Sequence, residues 1–571
     1  MTLMPAPELI VERDLVLLTE DGVRLVADVY RPAVDHPVPC VLSRTPYDKR
    51  RDVTVMAGLD PVRAARAGLA VVCQDVRGRF ASEGTFEPFR HERSDGAATL
   101  RWLADQPWCS GRIGMAGRSY AAATQWLAAS TEPPALAAIC PVVGASDPYE
   151  GAAYQGGAFQ LGANLFWAHL IMSAGRSRGE VHKAYRRLPL RDLEMFHGTP
   201  ADFYYQWLDH PERDDFWTGI GLDRRYPTTD IAVLNVSGWF DPFLRGTLDN
   251  FAAMSERKGR QRLLIGPWGH GAAWGSYPDH TLPDTPGSGI DLTAIMIDFF
   301  CEHLIPESGI ATAPAAPKAA GETPGPCEPD TGPVELYLMG GGQWIREARW
   351  PPPAIAQRWY LHSGGQLSTR PPGDEEPDVY RYDPADPAPT VGGPSMIPGT
   401  VLGSSFGPLD RAPLECRSDV LVYTSAALES PLEVVGPLNA VLYAATSAAD
   451  TDFVVALCVV DERGVSRVLA EGIRRARYRF GAGRSARVRP DRVMCIEIDL
   501  VATSVVIQQG QRLRVTITSS SFPRFDRNLN TGGPIGQEGL DQAKIATQTI
   551  LHDYRHPAHI SLPVRNPSVP S

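Results

Sequence analysis

Hydrophobic positions along the chain fall into three successive patterns. The first opens as a hairpin: Leu15 to Leu18 is a short apolar run, Glu20-Asp21-Gly22 supplies turn chemistry, and Val23 to Tyr30 continues in strand-like fashion. Short apolar runs follow at Pro39 to Leu42, Leu69 to Cys73, Ile113 to Ala116 and Leu136 to Val143, separated by segments of helical period such as Asp95 to Ala104. Strands alternating with helices predict a largely parallel sheet covered on both faces.

From about Gly144 to Arg225 the pattern changes to aromatic-rich helical material containing Phe159, Phe166, Trp167, Tyr204, Tyr205 and Trp207, with no convincing buried strand. An inserted cap is expected there. The alternating pattern returns at Ile231 to Val236 and Leu263 to Ile265 and closes with a helix over Ile290 to Leu304. Pro306 to Pro333 is rich in Pro, Ala, Gly and Thr, which suits a flexible linker or loop. Beyond it, apolar runs at Val334 to Leu338, Trp359 to Leu361, Val420 to Tyr423, Leu432 to Val435, Asn439 to Ala444, Phe453 to Val460, Met494 to Leu500 and Arg512 to Thr518 are punctuated by Gly and Pro, as in an antiparallel sandwich. The expected organisation is an α/β catalytic domain over 1–143 and 226–305, a cap over 144–225, a linker over 306–333 and a β domain over 334–571.

Composition narrows the function classes. A length of 571 residues exceeds what one core organises, and 43% hydrophobic with 21% charged residues is ordinary for a soluble globular protein. A formal net charge of −11, without a dense Lys/Arg run, argues against a nucleic-acid partner. No stretch approaches the ~20 apolar residues of a membrane span. The segment Met1 to Arg13 lacks the basic start and apolar stretch of a signal peptide, so a cytoplasmic location is expected. Nine cysteines show no metal-ligand spacing; Cys40, Cys73, Cys140 and Cys458 lie in apolar runs and read as small core residues in a reducing compartment.

Candidate chemistry centres on Ser119. The run Ile113 to Ala116 leads into Gly117-Arg118-Ser119-Tyr120-Ala121 and then into strong helix formers, the pattern of a nucleophile elbow. Ala121 stands where the G-x-S-x-G motif has its last Gly, and is nearly as small. An elbow serine needs an acid and then a base at later strand ends. Asp241, in Gly238-Trp239-Phe240-Asp241, and His270, in Gly266-Pro267-Trp268-Gly269-His270, stand in that order a few residues past predicted strands. A serine in an ordinary turn and a satisfied loop histidine are the competing readings, and the ordered set of three outweighs them. His270 is expected to take the Ser119 proton, Asp241 to orient the imidazole, and the backbone N–H of Tyr120 to donate to the oxyanion.

These stretches, together with Arg44-Thr45-Pro46-Tyr47-Asp48-Lys49, Gln74-Asp75-Val76-Arg77-Gly78, Ser82-Glu83-Gly84 and Ser519-Ser520-Ser521-Phe522-Pro523-Arg524-Phe525-Asp526-Arg527-Asn528, resemble the cocaine esterase and X-prolyl dipeptidyl peptidase group of α/β-hydrolases, the CocE/NonD hydrolases. The resemblance spans nearly the whole chain. It implies an α/β-hydrolase core, an inserted helical cap and a C-terminal jelly-roll-like β domain. It also implies that the second oxyanion donor is the hydroxyl of Tyr47, which would otherwise read as a buried structural tyrosine. Asp75 and Arg77 take scaffold roles.

Substrate contacts are expected from aromatics near the three residues, namely Trp167, Trp239 and Phe243, with plain core packing as the alternative for each. Trp268 is expected to pack. The group acts on aromatic esters, amino-acid esters, Xaa-Pro peptides and cephalosporin amides. The nearest cap acids, Asp147 and Glu150, form no adjacent pair, so an uncharged or anionic acyl group is favoured over an α-ammonium. His552, His556 and His559 lack a fourth ligand and read as structural. Neither metal nor cofactor is expected; the expected partners are a small-molecule ester or amide and, at most, a second copy in a homodimer. The function read from the chain is ester or amide hydrolysis through a serine acyl-enzyme. Xaa-Pro dipeptidyl aminopeptidase, β-lactam acylase and acyl transfer are alternatives in the same group, and a binding protein on a degenerate scaffold is the alternative in another class.

Overall fold

The computed structural model describes residues 8–50, 59–144, 146–172, 179–193, 196, 201–257, 260–270, 290–306, 332–396 and 406–565. The expected hairpin is β1 (Leu9–Leu18) paired antiparallel with β2 (Arg24–Pro32), and β2 in turn pairs antiparallel with β4 (Ala70–Asp75). From there the sheet is parallel through β3 (Val38–Thr45), β5 (Cys109–Arg118), β6 (Leu136–Val142), β9 (Ala232–Phe240) and β10 (Gln261–Gly269). The helices Glu92–Ala104, Tyr120–Ala129, Leu244–Ser255 and Leu292–Leu304 cover its faces. These strands are buried nearly throughout, as a sheet covered on both sides requires.

One boundary differs from the expectation. The runs taken as the start of the β domain are β11 (Val334–Leu338), parallel to β10, and β12 (Gln343–Glu347), antiparallel to β11; both complete the first sheet. The physical reason is a further crossover: after the helix Leu292–Leu304 the chain returns beside β10, and all five residues of β11 are buried there. Most of the proposed linker, 307–331, lies outside the described residues.

The cap carries the helices Leu161–Met172, Gly179–Tyr185, Asp202–Asp209 and Asp215–Ile220. It also contains what the pattern did not reveal, a fully buried two-residue hairpin of β7 (Tyr154–Gln155) and β8 (Ala158–Phe159). The cap core is aromatic, with Tyr149, Tyr154, Phe159, Tyr204, Trp207 and Trp217 packed together.

The β domain is an eleven-stranded, almost wholly antiparallel sheet built from residues 355–564. Within it, β19 (Ser466–Arg475) packs so closely on β20 (Met494–Ile507) that a Cβ on Gly472 would fall 2.2 Å from the Asp499 carbonyl oxygen. Its core is continuous with the β9–β11 edge of the first sheet through Trp239, Leu263, Val334 and Leu336. The 519–528 motif ties this domain to the cap: Arg524 donates to Gln155 Oε1 at 2.9 Å, and the Phe159 N–H donates to Asp526 Oδ1 at 2.8 Å. Asp526 also holds Arg475, which grips Asp452 with two bonds of 2.8 and 2.9 Å.

The eight described cysteines are free, and Cys40, Cys73, Cys140 and Cys458 are buried. His552, His556 and His559 are held by Asp378, Asp553 and the Pro557 carbonyl respectively. Among the described residues, no group of three His, Cys, Asp or Glu could hold a metal ion, and no helix is long and apolar enough to cross a membrane.

Candidate active site

Ser119 stands at the junction of β5 and the helix Tyr120–Ala129 with φ 58 and ψ −121, a conformation L residues rarely adopt. The crowding that goes with it explains the small neighbours. A Cβ on Gly117 would lie 2.6 Å from Ala121 Cβ, and one on Gly144 would lie 2.8 Å from the Ser119 carbonyl oxygen. Alanine at 121 is therefore tolerated because Gly117 yields the space.

Asp241 directly follows β9 and His270 directly follows β10, so adjacent parallel strands bring the two side chains together. His270 Nδ1 is 3.1 Å from Asp241 Oδ1, and its Nε2 is 3.1 Å from Ser119 Oγ. An ionised carboxylate only accepts, so Nδ1 carries the hydrogen and Nε2 is left to accept from the serine hydroxyl. Asp241 is 1% exposed and is fixed by the Ser237 hydroxyl at 3.0 Å and the Phe243 N–H at 3.2 Å. Arg118 donates to the His270 carbonyl at 3.4 Å.

Tyr47 follows β3 and turns its hydroxyl to the same place. Its oxygen accepts from Trp167 Nε1 at 2.9 Å. Burial pushes the phenol above its ordinary pKa, while the bond from Trp167, the nearby Ser119 hydroxyl and the charge of Arg79 pull it back. The Tyr120 N–H is the first of its helix and belongs to the amides that lack an intrahelical partner. A buried carboxylate that no motif marks links the two tyrosines' segments. Glu92 receives Arg44 at 2.6 Å, three residues before Tyr47, and the Tyr120 hydroxyl at 2.8 Å. Asp75 and Arg77 are scaffold: Asp75 holds the Lys49 N–H at 2.8 Å, and Arg77 pairs with Asp95 and Asp21.

Beside Ser119 opens a pocket lined by Phe89, Tyr120, Ala123, Pro148, Ala152, Ala153, Ala163, Asn164, Trp167, Trp207, Phe243 and Met396. Two of the three expected substrate aromatics are there, and Phe243 also meets the His270 ring edge to face at 5.0 Å. Trp239 lies outside that lining: it is 2% exposed, its indole N–H is spent on the Tyr337 carbonyl at 2.9 Å, and it packs into the core shared with the β domain, bordering instead the cavity that Asp241 and Glu150 line. Position 239 is still within β9 and faces that core, whereas Phe243 lies beyond the turn at Asp241. Trp268 packs as expected, with a Cβ on Gly238 lying 2.1 Å from its carbonyl oxygen. Phe89, Asn164 and Met396 carry no motif or spacing that marks them, and Trp207 reads in sequence only as one more cap aromatic.

A strand-to-helix elbow serine on a mainly parallel sheet, with histidine and aspartate on two later strand ends, defines an α/β-hydrolase. Residues 21–272 match the X-Pro dipeptidyl-peptidase (S15) family, and residues 329–561 match the X-Pro dipeptidyl-peptidase C-terminal non-catalytic domain. The chain is 35% identical to cocaine esterase of Rhodococcus sp. (strain MB1 Bresler) over 95% of its own length and 96% of that protein's. Among solved structures, an α-amino acid ester hydrolase superposes with a TM-score of 0.80 at 25% identity, over 99% of this chain and 98% of that one. An aminopeptidase from a Thaumarchaeota archaeon of marine sediment shares the fold with a TM-score of 0.83 at 24% identity, over 99% and 98% of the two chains. The chain belongs to the CocE/NonD family of X-Pro dipeptidyl-peptidase-like hydrolases, and it is a serine hydrolase.

Proposed function

We propose that the chain hydrolyses carboxylic esters of uncharged acids through an acyl-enzyme on Ser119. The observation that carries this reading is the unbroken relay from Asp241 through His270 to Ser119, with both contacts at 3.1 Å. His270 Nε2 takes the serine proton as Oγ attacks the carbonyl, and returns it to the leaving alcohol. Water then repeats the sequence on the acyl-enzyme. Asp241 stabilises the imidazolium without accepting its proton. The Tyr47 hydroxyl and the Tyr120 N–H donate to the oxyanion, in a setting where each donor contributes roughly 3 kcal/mol. Trp167 assists by occupying one lone pair of the Tyr47 oxygen, which leaves the hydroxyl hydrogen to point at the reacting atoms.

The pocket lining supports an ester over an aminopeptidase substrate, because none of the described residues that line it carries a charged side chain. Asp147 is spent on Arg213 and the Tyr149 N–H, and Glu150 lines a separate cavity with Trp239 and Arg474. A jelly-roll-like arrangement of the β domain belongs to the same reading, supported by its antiparallel pairing and the close approach of β19 and β20. So does a cytoplasmic location, supported by eight unpaired cysteines among the described residues.

Ser119→Ala tests the proposal. Turnover of p-nitrophenyl esters and labelling by a fluorophosphonate should both vanish while the melting temperature stays within about a degree, since the change is small and at the surface of a pocket. Residual labelling at another serine would sink it.

A further inference from the structure

The pocket beside Ser119 is walled by aromatic rings and alanines, with one carboxamide among them. Asn164 sits on the cap helix Leu161–Met172, one turn before Trp167, and is 6% exposed. Its Nδ2 donates to the Ala153 carbonyl at 3.0 Å. That bond fixes which end of the amide is which, because only nitrogen can donate to a carbonyl. Oδ1 therefore points away from Ala153, and it accepts from no group among the described residues. The neighbouring polar atoms are committed elsewhere: the Tyr120 hydroxyl to Glu92, the Trp167 indole to Tyr47, and the Asn164 backbone N–H to the Gln160 carbonyl.

An amide oxygen at the wall of an apolar pocket, with no protein donor, is left to water until a ligand supplies a donor, and a substrate group that donates to it is selected over an analogue that displaces the water and leaves the oxygen bare. We propose that Asn164 is a specificity residue. Its Oδ1 selects esters whose uncharged acyl group has an aromatic or aliphatic body and one hydrogen-bond donor, a hydroxyl or an amide N–H, set away from the reacting carbonyl. This assignment rests on the ester-hydrolase reading above and on the pocket receiving the acyl side. A charged donor is a poor fit, since no carboxylate is among the described residues that line the pocket to balance an ammonium.

The test uses the full-length enzyme and two panels of p-nitrophenyl esters, phenylacetates and phenylpropanoates, each bearing hydroxyl at the ortho, meta or para position, with the matched methyl and unsubstituted esters. One hydroxyl isomer should exceed its unsubstituted and methyl counterparts by about tenfold to a hundredfold in kcat/KM. Asn164→Leu should erase or invert that preference, read within the variant as the ratio of kcat/KM between each hydroxyl ester and its unsubstituted match, and Asn164→Asp, which keeps an acceptor oxygen, should retain more of it. Equal wild-type rates for every matched set would overturn the proposal without any variant being needed. A preference that survives in Asn164→Leu would overturn it too. So would a preference that appears only when the hydroxyl is moved to the leaving group, because Asn164 would then face the alcohol. Failure of the underlying mechanism would look different, as turnover by Ser119→Ala.

Discussion

The elbow around Ser119 and the 519–528 loop both gather polar side chains at a domain junction, yet they commit them differently. At the loop, Asp526 and Asn528 bond Arg475 and Asp452 of the adjoining strands, Arg475 bonds Asp452 in turn, and all four are nearly inaccessible. Each partner is another protein group with nothing to exchange it for. At the elbow, Ser119 Oγ meets His270 Nε2, a partner that the reaction uses, and also lines the pocket where a substrate can reach it. A saturated polar network fixes geometry; one left open toward a pocket performs chemistry. The first also serves the second, because the loop clamps β8 and so the cap helix that carries Asn164 and Trp167.

The comparison breaks most visibly in the loop. Asp526→Ala leaves Arg475 short of a partner and frees the Phe159 N–H, so unfolding free energy should drop by about 3–5 kcal/mol in a denaturant titration. Fluorophosphonate labelling of the protein still folded should persist. A loss below 1 kcal/mol would mean that the network is a spectator.

Next in size is Tyr47→Phe at the elbow. It removes a donor and no structural bond except the one from Trp167, so kcat should fall about a hundredfold with KM and stability nearly unchanged. An unaltered kcat would remove Tyr47 from the oxyanion site. Trp167→Phe keeps a ring in the wall but deletes the N–H together with the five-membered half of the indole. A fall in kcat of about threefold to tenfold is expected, the effect of one neutral hydrogen bond. In a Tyr47→Phe background that loss should disappear; a fully additive loss would show that Trp167 acts only as pocket wall.

The smallest effect lies away from both regions. Burial first, then Arg260, Arg262 and Arg112, lower the His303 pKa from 6.5 to about 4. The unfolded chain therefore binds this proton first, so the contribution to stability is complete above pH 6.5 and is lost as pH falls toward 4. His303→Gln should flatten that part of the melting-temperature profile slightly, and an unchanged slope would assign the acid limb to other groups.

Much of this protein was written locally. Strand-to-helix alternation marked the sheet, small residues around Ser119 marked the elbow, and the order Ser119, Asp241, His270 marked the relay, because each depends on neighbours along the chain or on which strand end a residue follows. Other features depended on distances between segments remote in sequence. Local pattern could not distinguish Trp239 in a core from Phe243 at a pocket, four residues apart on either side of one turn. Nor could it assign β11 and β12 to the first sheet, since an apolar run of five residues suits either sheet until its pairing partner is known. Glu92 and Asn164 drew no notice because a carboxylate or a carboxamide on a helix is unremarkable in sequence. Folding gives each its meaning, by bringing Arg44 and Tyr120 to the first and leaving one oxygen of the second open to the pocket.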